Sequence, residues 1–69
     1  MSIMEKIDVV AVKKLRTIMD SRGVDYHTGR IISLMVRRVT PKMIDWLEKT
    51  PEATVKDMIA KAQKLNQIR

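Results

Sequence analysis

The side chains in this sequence best suited to binding chemistry are its arginines and lysines. The chain has 69 residues, with 14 Lys and Arg against 8 Asp and Glu, which gives a formal net charge of +6. An arginine guanidinium is a planar fork that can donate two hydrogen bonds to one phosphate group. The charge therefore favours an anionic partner, which could be DNA, RNA, an anionic membrane surface or an acidic protein.

Two groups of basic residues predict a surface that contacts phosphate groups. Arg30 and Arg37 lie two helical turns apart, so they share the polar strip of one predicted helix. The second group lies on the last predicted helix, which has no acidic residue after Asp57. The predicted nucleic-acid-binding residues are Arg30, Arg37, Arg38, Lys42, Lys56, Lys61, Lys64 and Arg69. The alternative interpretation is a solvated surface that only keeps the protein soluble.

Side chains that could perform catalysis are sparse. His27 is the single histidine, and the chain has no cysteine to form a catalytic pair with it or a thiolate metal site. The carboxylates are spread along the chain, and no EF-hand pattern is present. We therefore expect no enzymatic activity, no bound metal and no cofactor. His27 is expected to be a solvated turn residue, with a pH-sensitive contact as the alternative.

A second function class is a helical protein-interaction module that acts as an inhibitor or adaptor of a larger acidic protein. Trp46 is the single tryptophan, a residue type that serves either in core packing or as an interface anchor. The apolar arc of helix 2 covers roughly 200°, whereas one core face needs about 100°. The predicted interface residues are Val9, which points outward from helix 1, with Ile32, Val36 and Trp46.

Helix 1 is expected over residues 3–22 because apolar residues recur there at helical spacing. Ser2 and Glu5 form the capping-box pattern at its start, and Asp8 is an alternative N-cap. Gly23 is the expected left-handed C-cap that ends the helix.

Helix 2 is expected over residues 29–39, with Thr28 as its N-cap. Its wide apolar arc predicts a central helix that its neighbours cover from two sides. This interpretation places Leu34 deeper in the protein than Leu65.

A threonine followed by a proline marks the predicted start of helix 3 and, later in the chain, of helix 4. Thr40 and Thr50 suit N-cap positions, and the proline after each suits the first helical position, where no N–H is needed. Helix 3 is therefore expected over residues 41–49 and helix 4 over residues 51–67. The predicted fold is all-α, a single domain over residues 1–69 that forms a small compact bundle of three long helices plus one short helix.

The length of the chain limits the stability that its core can supply. A core this small supplies about 3–5 kcal/mol of net stability without disulfides or metal, which favours a homodimer or a monomer–dimer equilibrium. No apolar run approaches the roughly 18 residues of a membrane span, and the segment MSIMEK lacks a signal-peptide core. We expect a cytoplasmic protein with no membrane partner.

The leading prediction is a small basic regulatory or accessory protein that binds nucleic acid, DNA in preference to RNA.

Overall fold

The first helix of the bundle, α1, spans Val9–Ser21. The computed structural model describes residues 9–67 of the chain. Ala11, Leu15 and Met19 recur every four residues and are buried along one face of α1. Three predictions for the start of this helix lie outside the described residues, namely the first residue Ile3, the capping-box pair Ser2 and Glu5, and the N-cap Asp8.

Helix α1 is followed by a left-handed glycine, as predicted. Gly23 has a φ of +85°, a conformation that glycine adopts without the penalty of a Cβ atom. The Gly23 N–H donates to the carbonyl oxygen of Asp20, and the Val24 N–H donates to that of Met19, both at 3.0 Å. These two hydrogen bonds form a Schellman motif, which turns the Val24 side chain back into the core.

The second helix, α2, spans Tyr26–Met35 and begins three residues earlier than predicted. Asp25 is its N-cap, and the Asp25 carboxylate accepts a hydrogen bond from the Thr28 N–H at 3.1 Å. The prediction that Thr28 caps this helix was therefore wrong. Asp25 caps as well as threonine does and comes first in the chain, so Thr28 lies inside the helix.

A buried threonine hydroxyl joins α2 to the third helix, α3, which spans Thr40–Lys49. Thr40 Oγ1 donates to the carbonyl oxygen of Val36 at 3.0 Å, and the Thr40 side chain is fully buried. The predicted N-cap role of Thr40 was wrong, because Val39 holds that position and Thr40 is already helical. Pro41 lies in the first turn, where its missing N–H removes no helical hydrogen bond.

The fourth helix, α4, spans Val55–Gln67 and begins four residues later than predicted. Thr54 and Asp57 cap it reciprocally, since the Thr54 N–H donates to the Asp57 carboxylate at 3.0 Å and the Asp57 N–H donates to Thr54 Oγ1 at 3.1 Å. This is the capping-box arrangement. Pro51 instead lies in the turn that connects α3 to α4, so the predicted start at Pro51 was wrong.

The helices pack around one shared hydrophobic cluster. Helix α1 packs against α2 and α3, and α4 packs against the same two helices. The order around the bundle is therefore α1, α2, α4, α3, and the α1–α3 side lies opposite the α2–α4 side. The core residues are Ala11, Leu15, Met19, Val24, Ile32, Val36, Met43, Ile44, Leu47, Met58, Ala62 and Leu65.

The predicted all-α class is confirmed, since residues 9–67 contain four helices and no strand. Within those residues α1 and α4 have 13 residues each, and α2 and α3 have 10 each. The described helices thus form two pairs of equal length rather than three long helices and one short one. None of them is both long and apolar enough to cross a membrane.

Two neighbours, α1 and α4, pack against α2, but they leave part of its predicted apolar arc exposed. Leu34 is 56% exposed and Ile31 is 49% exposed, whereas Leu65 of α4 is 6% exposed. The neighbours α1 and α4 bury the face of α2 that carries Ile32 and Val36, so the rest of the apolar arc faces outward. The prediction that Leu34 lies deeper than Leu65 was wrong.

Candidate functional site

The outward surface of α2 combines positive charge with aliphatic side chains. Arg30, Ile31 and Leu34 of the helix are exposed, and so are Arg37 and Arg38 in the turn that follows it. Residues three and four positions apart are neighbours on a helix surface, which brings the helical members of this set together. We call these five residues the arginine face.

An open groove of about 820 Å³ lies beside the arginine face, between α2 and α4. Its lining residues are Leu34, Met35, Arg37, Arg38, Val39, Leu65 and Asn66. Aliphatic and thioether side chains form part of the groove lining, and Asn66 and two guanidinium groups make the rest polar. No carboxylate is among the described residues that line it.

Two carboxylates lie on the opposite, α1–α3 side of the bundle. Asp45 pairs with Lys49 at 3.2 Å, and Glu48 lies 3.9 Å from Lys14 of α1. Asp45, Glu48 and Lys14 also line a shallow groove between α1 and α3. The basic and acidic side chains of the described chain are thus distributed unevenly, with positive charge on the arginine face and mixed charge on the opposite side.

One cation beside the arginine face was not among the predicted residues. The Arg16 guanidinium of α1 lies 4.7 Å from the centre of the Tyr26 ring, a cation–π distance. A hydrogen bond with Arg16, followed by the positive charges of Arg16 and Arg30, holds the pKa of the Tyr26 hydroxyl below its ordinary value. Arg16 and Tyr26 belong to different helices, so no local pattern in the sequence relates them.

The start of α2 is capped by the Asp25 carboxylate. Hydrogen bonds with the Thr28 side chain and then with its backbone N–H lower the pKa of Asp25. The capped helix end fixes the direction of α2 and therefore the position of Arg30, which lies five residues later.

The predicted lysines of α4 do not join the α2 arginines. Lys61 Nζ lies 6.0 Å from the centre of the Trp46 ring, and Lys64 lines a groove between α3 and α4 together with Asp57. This α3–α4 side is a different side of the bundle from the arginine face. The predicted basic set is therefore divided between two surfaces.

The remaining predicted basic residues lie at the helix starts or outside the described chain. Lys42 is exposed in the first turn of α3, four residues after Arg38. Lys56 is exposed at the start of α4. Arg69 lies outside the described residues.

The predicted protein-interface residues also have different environments. Ile32 and Val36 are fully buried in the core of the single chain, so neither is available to a partner, and this part of the prediction was wrong. The physical reason is that α1 and α4 both pack on the face of α2 that carries them. Trp46 is half-buried against the core, whereas Val9 is exposed.

The only histidine is exposed near the start of α2. Within residues 9–67 no group of three or more His, Cys, Asp or Glu side chains could hold a metal ion. The chain matches no protein-family model, no curated protein and no solved structure. Its function must therefore be inferred from the geometry of the chain itself, in which the arginine face and its groove are the main charged feature.

Proposed function

We propose that this protein is a small basic regulatory or accessory protein that binds nucleic acid, DNA in preference to RNA, through the arginine face. One observation carries the proposal: Arg30, Arg37 and Arg38 are exposed beside a groove that no described carboxylate lines. Guanidinium groups bind phosphate oxygens through paired, charge-assisted hydrogen bonds. Arg16 and Lys42 lie near the two ends of α2 and would extend the contact surface.

The lysines of α4 have a secondary role in this proposal. Lys61 is held near the Trp46 ring, and Lys64 shares its groove with Asp57. A ligand seated on the arginine face would approach from another side of the bundle. We therefore assign Lys56, Lys61 and Lys64 to long-range attraction of the polyanion, which raises association rates without a direct contact.

A salt-titrated binding assay with a short labelled DNA duplex and an RNA duplex tests the proposal. Two arginine–phosphate contacts on duplex DNA, by Arg30 and Arg37, predict a slope of about −1.8 in a plot of log affinity against log salt. Between 50 and 200 mM salt the affinity should then fall about 12-fold. Absence of salt-dependent binding at low ionic strength would contradict the proposal.

Single substitutions locate the contact. Arg30→Ala and Arg37→Ala should each weaken binding to all sequences alike and flatten the salt slope for duplex DNA by about 0.9. Lys14→Ala is the matched control, because Lys14 is an exposed cation on the α1–α3 side of the bundle. An equal loss in the control variant would show that only the net charge of the protein matters.

A second candidate is recognition of an acidic protein, and the exposure of Ile31 and Leu34 favours it. An amphipathic acidic helix could place apolar side chains in the α2–α4 groove and carboxylates beside the arginines. Such a partner would bind in a way that depends on both Leu34 and Arg37. DNA and RNA would then show no comparable affinity.

Assembly and location complete the proposal. A core of this size gives about 3–5 kcal/mol of stability, which favours a monomer–dimer equilibrium, and a homodimer would carry two arginine faces. We propose a cytoplasmic location, where DNA and RNA are accessible. Sedimentation equilibrium over a range of protein concentrations measures the mass of the assembly directly. The unfolding temperature of a dimer should also rise with protein concentration.

A further inference from the structure

Among residues 9–67, no element covers two neighbouring aliphatic side chains on the arginine face. Ile31 is 49% exposed and Leu34 is 56% exposed, and Leu34 also lines the α2–α4 groove. A single exposed aliphatic residue is ordinary on a protein surface. Two adjacent exposed aliphatic residues flanked by arginines form a surface that is both apolar and positively charged. Such a surface suits a partner whose apolar groups are flanked by negative charges.

The shape of α2 meets the requirements for entry into a DNA groove. The helix has 10 residues, which is a length of about 15 Å. Its neighbours α1 and α4 pack on the opposite face, so the outward face is accessible to a partner. Arg30 precedes the aliphatic pair along the chain, and Arg37 and Arg38 follow it. The cations therefore bracket the pair along the helix.

We infer that α2 is a recognition helix that enters the major groove of duplex DNA, with Ile31 and Leu34 against thymine methyl groups. The major groove is about 12 Å wide and admits a helix, and the thymine C5-methyl is the apolar group exposed there. Arg30 and Arg37 contact the phosphates that border the groove, so they position the helix while the aliphatic pair reads sequence. This inference rests on the proposed binding of nucleic acid and names its ligand as thymine-containing DNA.

RNA does not fit this inference. The major groove of an A-form RNA duplex is deep and narrow, so side chains cannot read it. Uracil also lacks the methyl group that the aliphatic pair would contact. The preference for DNA over RNA that the sequence suggested would then have a structural cause, located at Ile31 and Leu34.

The experiment compares thymine with deoxyuridine, which removes the methyl group and leaves the base-pairing groups unchanged. The full chain first selects its preferred duplex from a random pool. Its affinity is then measured for that duplex and for the same duplex with deoxyuridine at every thymine position. Each contacted methyl group should contribute about a fourfold difference in affinity.

Three variants distinguish the side chains that read the base sequence from those that position α2 on the DNA. Leu34→Ala should bring the thymine-to-deoxyuridine affinity ratio toward one without changing the salt slope. Arg37→Ala should flatten the salt slope by about 0.9 and keep the ratio. Val10→Ala is the matched control, because Val10 is 77% exposed on the α1–α3 side and its truncation should change neither quantity.

The possible negative results distinguish failure of the recognition-helix inference from failure of the proposed function. Salt-dependent binding with equal affinity for both duplexes would overturn the recognition-helix inference and leave the proposed function standing. A ratio left unchanged by both Leu34→Ala and Ile31→Ala in folded variants would also overturn it, because another surface would then read the methyl groups. If the protein binds no DNA at low salt, the inference and the proposed function both fail. Binding that needs both Leu34 and Arg37 but only toward an acidic helical peptide would assign the face to a protein partner.

Discussion

The Arg22 guanidinium, just after α1, donates a hydrogen bond of 2.6 Å from Nη2 to the carbonyl oxygen of Leu47 in α3. Its Nη1 donates to the carbonyl oxygen of Thr50 at 3.0 Å. The last carbonyl groups of a helix have no partner within the helix, and they carry partial negative charge. Leu47 O also accepts from the Thr50 N–H at 3.2 Å, and Thr50 O accepts from the Ala53 N–H at 3.1 Å. The Arg22 side chain thus gives each carbonyl group a second, charged donor and ties the end of α3 to the end of α1.

Arg22→Ala should destabilise the fold by about 1–3 kcal/mol, because two charge-assisted hydrogen bonds are lost at a partly buried site. Arg22→Lys should recover only part of this, since an ammonium group cannot reproduce the fork geometry. Urea unfolding midpoints at unchanged slope measure both losses. Arg37→Ala, at an exposed arginine, should stay within about 0.5 kcal/mol of the parent protein. Equal stability of the two alanine variants would mean that the Arg22 hydrogen bonds contribute nothing net.

Leu65→Ala should destabilise the protein more than Leu34→Ala. Leu65 is 6% exposed in the core, where leucine truncation costs about 2–5 kcal/mol. Leu34 is 56% exposed, so its truncation leaves no enclosed cavity. Denaturant unfolding of the two variants under the same conditions gives the comparison. A larger loss for Leu34→Ala would indicate that this side chain is covered in solution, for example by a second chain.

Substitution of each of the two glycines by alanine should change the stability of the protein in opposite directions. Gly23→Ala should destabilise the fold by about 1–2 kcal/mol, because its φ of +85° forces a Cβ atom into the left-handed region. A Cβ atom at Gly29 would meet Met19 Cε at 3.7 Å and Val24 Cγ1 at 3.8 Å, which are ordinary contact distances. Gly29→Ala should therefore stabilise the protein by about 0.5–1 kcal/mol through helix propensity. Thermal unfolding monitored by circular dichroism distinguishes the two signs.

Tyr26 should titrate below its ordinary pKa of 10.0, because a hydrogen bond with Arg16 and two nearby positive charges favour the tyrosinate. Arg16→Gln should raise the pKa of Tyr26 toward that ordinary value, since it removes the main cause. Arg30→Gln should raise it less, because only a charge is lost. Tyr26 is the single tyrosine, so its ultraviolet absorbance reports this titration directly. Arg37→Gln is the control, and a shift as large as that of Arg16→Gln would contradict the pairing.

Much of the local structure could be predicted from single residues with strong conformational preferences. Gly23 was correctly predicted to follow helix 1 in a left-handed conformation, because glycine alone adopts a positive φ without strain. The end of α3 at Lys49 also agrees with the prediction, since Pro51 disfavours helix nearby. Helix starts were less predictable. Asp25 and Thr54 were each one of several polar residues that could cap, and competing caps differ by only fractions of a kcal/mol.

The candidate site was predictable in its composition and not in its arrangement. Arg30, Arg37 and Arg38 were all predicted to lie on helix 2; α2 ends at Met35, so Arg37 and Arg38 lie exposed in the turn that follows it. Lys61 and Lys64 of α4 were grouped with the same function, yet they lie on another side of the bundle. Arg16 was absent from the predicted set, because its neighbour Tyr26 belongs to a different helix.

The all-helical class, the excess of positive charge and the angular position of each side chain on its own helix follow from the sequence alone. Which part of each apolar arc is buried depends on how the helices pack. Periodicity places Ile32 and Leu34 in one arc of helix 2, but only the packing of α1 and α4 buries Ile32 and leaves Leu34 exposed. The physical reason is that periodicity is a property of one helix, whereas burial and charge pairing depend on where the neighbouring helices pack. The pairing of Arg22 with Leu47, 25 residues apart, is a second case of the same rule.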